Sequence, residues 1–160
     1  MLSSRFSPGE PVVYAIDGEE DLEYYKALLS SVGAHARHFT TPLEGLQAFL
    51  SAPPQLLIVD LDVAGSAGLA FLRLLRASPW HRTVPILACS SERATPERQQ
   101  EAFDAGADGY LEKPFVEEEF VEAMLALMQD AVVPQHPSIE PLQVGQPEID
   151  TPAPPLAQTE

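Results

Sequence analysis

Residues 56–60 read Leu-Leu-Ile-Val-Asp, and the four apolar residues are the most hydrophobic strand pattern in the chain. A second unbroken apolar run occupies residues 12–16 and ends at Asp17. Continuous apolar runs of this length are typical of strands that are buried on both faces, as in parallel sheets. The two segments therefore predict a sheet covered by helices on both sides, with a carboxylate at the end of each of these strands.

On both sides of these segments, strand patterns alternate with helical ones along the chain. The predicted strands are residues 12–16, 34–39, 56–59, 84–89 and 109–112. Apolar residues at helical spacing follow each strand and predict helices over residues 22–32, 42–50, 69–75, 96–105 and 117–128. Such alternation requires right-handed crossovers and a parallel sheet. The predicted class is α/β: a flavodoxin-like (βα)5 fold, in which helices cover both faces of a doubly wound five-stranded parallel sheet.

Local signals predict how two of the connections are built. Thr41 followed by Pro42 predicts the N-cap and first residue of the second helix. The buried face of that helix is expected from four apolar residues at helical spacing: Leu43, Leu46, Phe49 and Leu50. After the third strand, Gly65 and Gly68 predict a loop that precedes the third helix.

Length and charge divide the chain and exclude several functions. The 160 residues include 24 acidic and 9 basic ones, for a formal net charge of −15. This balance disfavours a nucleic-acid-binding domain, which needs clustered Lys and Arg, and it disfavours an anionic membrane surface. We expect a flexible lead over residues 1–10, a folded domain over 11–130 and a Pro-rich acidic disordered tail or linker over 131–160.

The number of cysteines and the length of the apolar segments exclude further classes of protein. Cys89 is the single cysteine, which excludes an internal disulfide and a cysteine-based zinc site. No stretch has the length of a membrane span, and the N-terminus lacks the apolar segment of a signal peptide. We expect a soluble, cytoplasmic protein.

Chemically distinctive residues stand at the ends of four predicted strands. Asp17 ends the first strand, Asp60 the third and Ser90 the fourth, and Lys113 follows the fifth. In open parallel sheets, binding sites form beyond the carboxyl ends of the strands, where the strand order reverses. Two carboxylates, a hydroxyl and an ammonium are therefore expected to converge at one edge of the sheet.

These residues lie in motifs that resemble a known family. The chain resembles the receiver domain of two-component response regulators from about residue 12 to 128, in the CheY-like superfamily. The resemblance rests on four segments in the right order: VVYAIDGEED (12–21), LLIVDLDVAGSAGL (56–69), VPILACSS (84–91) and AGADGYLEKPF (105–115).

The resemblance assigns roles to individual residues. It implies that Asp60 is the phosphoacceptor, that Ser90 contacts a phosphoryl oxygen and that Lys113 supplies a positive point charge. Tyr110 matches the aromatic switch position, and the bond between Lys113 and Pro114 is expected to be cis. Such a domain catalyses only its own phosphorylation and is otherwise not an enzyme.

One position departs from the family pattern. Receivers usually carry two adjacent acidic residues after the first strand to bind Mg²⁺, but here Asp17 is followed by Gly18. The remaining implied ligands are Asp17, Asp60 and the backbone carbonyl of Asp62. The missing acid leaves three outcomes open: Glu19 reaches in, Asp62 contributes its side chain, or the domain binds Mg²⁺ poorly and is phosphorylated slowly or not at all.

The leading hypothesis is a phosphoacceptor that takes a phosphoryl group from a histidine kinase or phosphotransfer protein. It would signal to an unknown downstream protein through the face formed by the fourth helix, fifth strand and fifth helix, and it could form a homodimer. Two alternatives remain: a pseudo-receiver that acts without phosphorylation, supported by Gly18, and the N-terminal receiver of a longer regulator. A flavodoxin-like enzyme would need a cofactor loop or a general base, and the sequence offers neither.

Overall fold

The computed structural model describes residues 12–78 and 83–129. The predicted flexible lead and the Pro-rich tail lie outside the described residues. A single parallel sheet with strand order 2-1-3-4-5 runs through the described part of the chain. This is the flavodoxin-like order, so the predicted fold class is confirmed.

The secondary structure elements alternate throughout the described chain. The strands are β1 (Val12–Ile16), β2 (His35–Phe39), β3 (Leu56–Asp60), β4 (Ile86–Ser90) and β5 (Gly109–Glu112). The helices are α1 (Leu22–Ser31), α2 (Pro42–Ser51), α3 (Val63–Ala77), α4 (Pro96–Ala105) and α5 (Glu117–Gln129). A 3₁₀ turn, Glu19–Asp21, precedes α1. None of the described helices is both long enough and apolar enough to cross a membrane.

The sheet separates two hydrophobic cores because successive strand residues point to opposite faces. In β1, Tyr14 and Ile16 pack into a core with residues of α2, α3 and α4. Val13 and Ala15 pack into the other core with residues of α1 and α5. All five residues of β3 are buried, as its apolar run predicts.

The buried face of α2 agrees with the prediction at Phe49, which is buried, and at Leu46, which is partly buried, but the prediction is wrong for Leu43 and Leu50. Leu43 and Leu50 are 64% and 58% exposed, whereas Gly45 and Phe49 are the buried residues of this helix. A Cβ atom on Gly45 would lie 2.4 Å from the Cδ1 atom of Ile16. Gly45 therefore lies directly against Ile16 of β1, and Leu43 and Leu50 lie on the solvent side of the helix.

The connection after β3 also differs from the predicted glycine loop. Gly65 and Gly68 lie within α3, which begins at Val63. Ala64 and Gly65 have positive φ values of 49° and 74°, so the first turn of this helix is irregular. Two strand starts differ as well: β2 begins at residue 35 rather than 34, and β4 at residue 86 rather than 84.

The predicted starts of α2 and α4, at Pro42 and Pro96, are confirmed. The Thr41 hydroxyl accepts a hydrogen bond from the backbone of Glu44, and that of Thr95 accepts one from the backbone of Arg98. These bonds satisfy amide groups that have no partner within the first helical turn. Gly106 ends α4 with a φ of 114°, a conformation that favours glycine.

Candidate functional site

The carboxyl ends of β1, β3 and β4 and the residue after β5 meet at one edge of the sheet. Asp17 and Ser90 are 1% and 0% exposed, and Asp60 is 8% exposed. The backbone N–H of Lys113 donates to the carbonyl of Ser90, which keeps Lys113 in register beside β4. The peptide bond between Lys113 and Pro114 is cis, as the family resemblance implies.

The ammonium group of Lys113 joins three carboxylates. Its Nζ atom lies 2.6 Å from Asp17 Oδ2, 2.8 Å from Asp21 Oδ2 and 3.2 Å from Asp60 Oδ2. The side chain of Lys113 is 13% exposed, so these contacts lie in a partly dehydrated pocket. Three ionised carboxylates and one ammonium leave a formal charge of −2, and the pocket is therefore short of positive charge.

Asp17 is the most enclosed of the three carboxylates. Its Oδ1 accepts the backbone N–H of Gly18, and its Oδ2 accepts the hydroxyl of Tyr25 as well as the ammonium of Lys113. Burial, followed by the neighbouring Asp60, raises the pKa of Asp17 to about 6. The donors lower this pKa but do not outweigh burial, which indicates that this carboxylate would gain from a further cation.

Lys113 remains charged in this setting. Burial by itself lowers the pKa of its ammonium. The hydrogen bonds to Asp17 and Asp21 and the charges of Asp17 and Asp60 raise the pKa by more than burial lowers it, so the net shift is upward. A compact ammonium on a flexible stem suits contact with several oxygens at once. The lysine therefore acts as the fixed cation of the pocket.

Asp60 is held by its own backbone neighbourhood. Its Oδ1 accepts the backbone N–H of Asp62 at 2.8 Å, while Oδ2 faces Lys113. Gly68 of α3 packs directly behind it: a Cβ atom there would lie 2.6 Å from the Asp60 carbonyl oxygen and 2.6 Å from Leu61 Cα. The helix thus approaches the end of β3 as closely as a glycine allows.

Ser90 points to a partner that the sequence did not indicate. Its hydroxyl donates to Asp62 Oδ2 at 3.0 Å, and the same oxygen accepts the backbone N–H of Ser91 at 2.9 Å. The other oxygen of Asp62 accepts the Arg98 guanidinium at 2.8 Å. The side chain of Asp62 is therefore fully engaged on the β4–α4 side of the pocket.

Tyr110 lies in β5 and is partly buried, with its ring against the core formed by α2, α3 and α4. Its hydroxyl is buried and has no hydrogen-bond partner among the described residues. A buried hydroxyl without a partner is costly, so this position favours a rearrangement that satisfies it. The switch role that the resemblance implies for Tyr110 stays a prediction.

Neither Glu19 nor the side chain of Asp62 takes the place of the acid that is missing at Gly18. Glu19 is exposed, and Asp21, from the same 3₁₀ turn, is the acid that reaches Lys113. Within residues 12–78 and 83–129, no three His, Cys, Asp or Glu side chains form a ready metal-ligand group. Asp17 and Asp60 nevertheless fit Mg²⁺, which commonly takes one or two carboxylates and completes its shell with water.

Four contacts of the site were not predicted from the sequence: Lys113 with Asp21, Tyr25 with Asp17, Ser90 with Asp62 and Arg98 with Asp62. Asp21 and Tyr25 are four residues apart at the start of α1, a spacing that places helical residues on one side. That spacing could have suggested that Tyr25 lies on the same side of the helix as Asp21. No local signal joins Arg98 to Asp62, because the two are 36 residues apart.

The chain matches known proteins in both sequence and structure. The model of the response regulator receiver domain family matches residues 13–125. The transcriptional regulatory protein PrrA of Mycobacterium leprae is 28% identical over 145 residues, covering 89% of this chain and 60% of PrrA. A putative response regulator from Chloroflexus aurantiacus has 25% identity and a TM-score of 0.71, over 76% of this chain and 99% of that one.

A further structural match shows the fold alone. The receiver domain of sensor histidine kinase PA1611 from Pseudomonas aeruginosa has 19% identity and a TM-score of 0.68, over 76% of this chain and 99% of that domain. That structure contains a magnesium ion coordinated in its active site cleft. The curated relatives are longer than the match: the chain covers 33% of one such regulator and 60% of another.

Proposed function

Because the chain belongs to the response regulator receiver domain family, we propose that Asp60 accepts a phosphoryl group from a histidine kinase or phosphotransfer protein. The observation that supports this most strongly is the contact of Lys113 with both Asp17 and Asp60 at the carboxyl edge of the sheet. A phosphoacceptor needs a positioned carboxylate beside a fixed cation, and this pocket has both.

In the transfer, a carboxylate oxygen of Asp60 forms a bond to phosphorus while the bond between phosphorus and the donor's imidazole nitrogen breaks. The electron pair of the broken bond stays on that nitrogen, and Asp60 becomes an acyl phosphate. The backbone N–H of Asp62 orients Oδ1 of the carboxylate, and the Lys113 ammonium lies beside Oδ2. The same ammonium is placed to contact an oxygen of the transferred group.

Receiver domains generally bind Mg²⁺, and the oxygen donors of this pocket fit that ion. Asp17, Asp60 and the backbone carbonyl of Asp62 are the residues that would hold it. When bound, the ion offsets the charge of the phosphoryl oxygens. Asp21 adds a carboxylate that competes for Lys113 rather than replacing the acid missing at Gly18.

The signal would leave through the face formed by α4, β5 and α5. Ser90 lies at the end of β4 and Tyr110 within the neighbouring β5, so a change in the hydrogen bond of the Ser90 hydroxyl occurs close to this face. Receiver domains act through contacts with sensor kinases and downstream targets. We propose that this one binds its target, or a second copy of itself, through that face.

A pseudo-receiver is the second candidate, and one observation favours it. The ammonium of Lys113 already contacts three carboxylates, so the pocket contains a cation without Mg²⁺. In that case the domain would bind its partner whether or not Asp60 is modified. Phosphorylation of Asp60 separates the two functions.

The test is the intact mass of the protein after incubation with acetyl phosphate, with Mg²⁺ or with a chelator. The wild type is compared with Asp60→Ala and with Asp104→Ala, which removes an exposed carboxylate of α4. We expect a single phosphoryl adduct on the wild type and on Asp104→Ala, none on Asp60→Ala, and strong dependence on Mg²⁺. Failure of the wild type to form an adduct, under conditions that label another receiver, would favour the pseudo-receiver.

A further inference from the structure

The Ser90 hydroxyl has one hydrogen to donate, and in this structure Asp62 accepts it. The distance from Ser90 Oγ to Asp62 Oδ2 is 3.0 Å, and the backbone N–H of Ser91 reinforces the same oxygen at 2.9 Å. As an acceptor, Ser90 Oγ is also engaged, by the backbone N–H of Glu92 at 3.2 Å. The hydroxyl cannot donate to a phosphoryl oxygen on Asp60 without giving up Asp62.

Asp62 is in turn held by a residue of α4. The Arg98 guanidinium lies 2.8 Å from Asp62 Oδ1, with side-chain exposures of only 17% and 24% for Arg98 and Asp62. Arg98 lies farther from two exposed acids, at 3.6 Å from Glu92 and 3.8 Å from Glu101. Its main partner is therefore Asp62, and ion pairs at this burial are better ordered than those at the surface.

The Arg98 side chain has a further unused donor. Its Nε atom is buried and has no hydrogen-bond partner among the described residues. The backbone N–H of Arg98 is fixed at the start of α4 by the Thr95 hydroxyl. Arg98 therefore connects the first turn of this helix to the acceptor that occupies Ser90.

We propose that Asp62, positioned by Arg98, captures the Ser90 hydroxyl and so lowers the affinity of the pocket for a phosphoryl group. The inference rests on the proposed function, because it assigns a competitor for the hydroxyl that the phosphoryl group requires. The two acceptors exclude each other, since one hydrogen serves both. When the hydroxyl donates to the phosphoryl oxygen instead, Asp62 loses its hydrogen-bond donor from β4 and keeps its ion pair with Arg98 at the start of α4.

The test measures the binding of beryllofluoride, a phosphoryl mimic, in the presence of Mg²⁺. The wild type is compared with Asp62→Ala, Ser90→Ala and the double variant. We expect Asp62→Ala to bind on the order of tenfold more tightly, because the hydroxyl no longer has to leave a charged acceptor. In the Ser90→Ala background the same substitution should change the affinity less than about twofold, since the cycle isolates the coupling between the two residues.

Two further variants test the arrangement around Asp62. Arg98→Gln should tighten binding in the same direction but by less, because Asp62 can still reach Ser90 from a looser position. Glu101→Ala, which removes an exposed acid that contacts Arg98 but not Ser90, should leave the affinity unchanged. If Asp62→Ala folds poorly, Asp62→Asn replaces it, with a smaller gain in the same direction.

Each contrary outcome has a distinct meaning. A gain from Asp62→Ala that persists in the Ser90→Ala background would overturn the proposal, because removal of negative charge alone would explain it. An unchanged or weaker affinity in Asp62→Ala would also overturn it, and an unchanged affinity in Arg98→Gln would remove Arg98 from the account. If the wild type binds no beryllofluoride and Asp60 takes no phosphoryl group, the proposed function itself fails.

Discussion

Replacing Lys113 with methionine removes the ammonium of the pocket and keeps a side chain of similar length. Asp17 and Asp60, whose side chains are 1% and 11% exposed, would then face each other without their shared cation. Removing one partner of a buried ion pair costs about 3–5 kcal/mol, because the remaining charge stays dehydrated. Asp21 is 32% exposed and regains water, so the lower end of that range applies. We therefore expect a loss of about 3 kcal/mol.

The assay is thermal unfolding at neutral pH, in a buffer with a chelator so that no divalent ion replaces the ammonium. For a folded unit of this size, 1 kcal/mol corresponds to about 4 °C in the unfolding midpoint, so Lys113→Met should lower it by about 12 °C. Adding Mg²⁺ should restore part of this loss, because the freed carboxylates then gain a cation.

The chain offers a matched control, since Lys26 is its other lysine. Lys26 pairs with Glu23 on the surface, with side-chain exposures of 53% and 83%, and Lys26→Met should cost less than about 0.5 kcal/mol. Similar losses in the two variants, or a loss below about 1 kcal/mol in Lys113→Met, would refute the electrostatic description of the pocket.

Three other substitutions or reactions probe the surroundings of the site. Gly68→Ala places a Cβ atom 2.6 Å from the Asp60 carbonyl oxygen, so it should destabilise the domain and slow phosphorylation of Asp60. Because alanine is the better helix former by about 1 kcal/mol, equal or greater stability in a denaturant titration would contradict the close approach of α3 to β3. Cys89 is fully buried, and burial raises the pKa of its thiol to about 12. At pH 8 a thiol reagent should therefore label the native protein on the order of a thousandfold more slowly than the unfolded chain, and comparable rates would show that β4 is accessible. Thr41→Ala removes the acceptor of the Glu44 backbone N–H and should lower the free energy of unfolding in urea by about 1 kcal/mol. Thr41→Ser should lower it much less, and equal losses in the two variants would show that the hydroxyl does not cap α2.

The sequence was most informative where burial is continuous. The apolar runs that end at Asp17 and Asp60 are buried along their full length from residue 13 and from residue 56, and the parallel sheet follows from them. Because parallel strands end at one edge, the meeting of Asp17 and Asp60 near Lys113 could be predicted without any knowledge of side-chain positions.

Side-chain contacts across loops could not be predicted in the same way. The pair between Asp62 and Arg98 depends on where α4 starts and on the path of the β4–α4 loop, and hydrophobic periodicity predicts neither. Asp21 reaches Lys113 because a 3₁₀ turn shifts it toward the pocket. In α2, Gly45 lies against Ile16 of the sheet beside Phe49, and a pattern that counts only large apolar residues misses the glycine.

The proposed function requires that Asp60 carries the phosphoryl group as an acyl phosphate. Borohydride reduces aspartyl phosphate to homoserine, so treatment of the phosphorylated protein followed by peptide mass spectrometry identifies the modified residue. We expect homoserine at residue 60 alone, dependent on Mg²⁺ and absent from protein that was not exposed to a phosphodonor. Homoserine at Asp17, Asp21 or Asp62 in place of residue 60, or none in a protein that gains the phosphoryl mass, would contradict it.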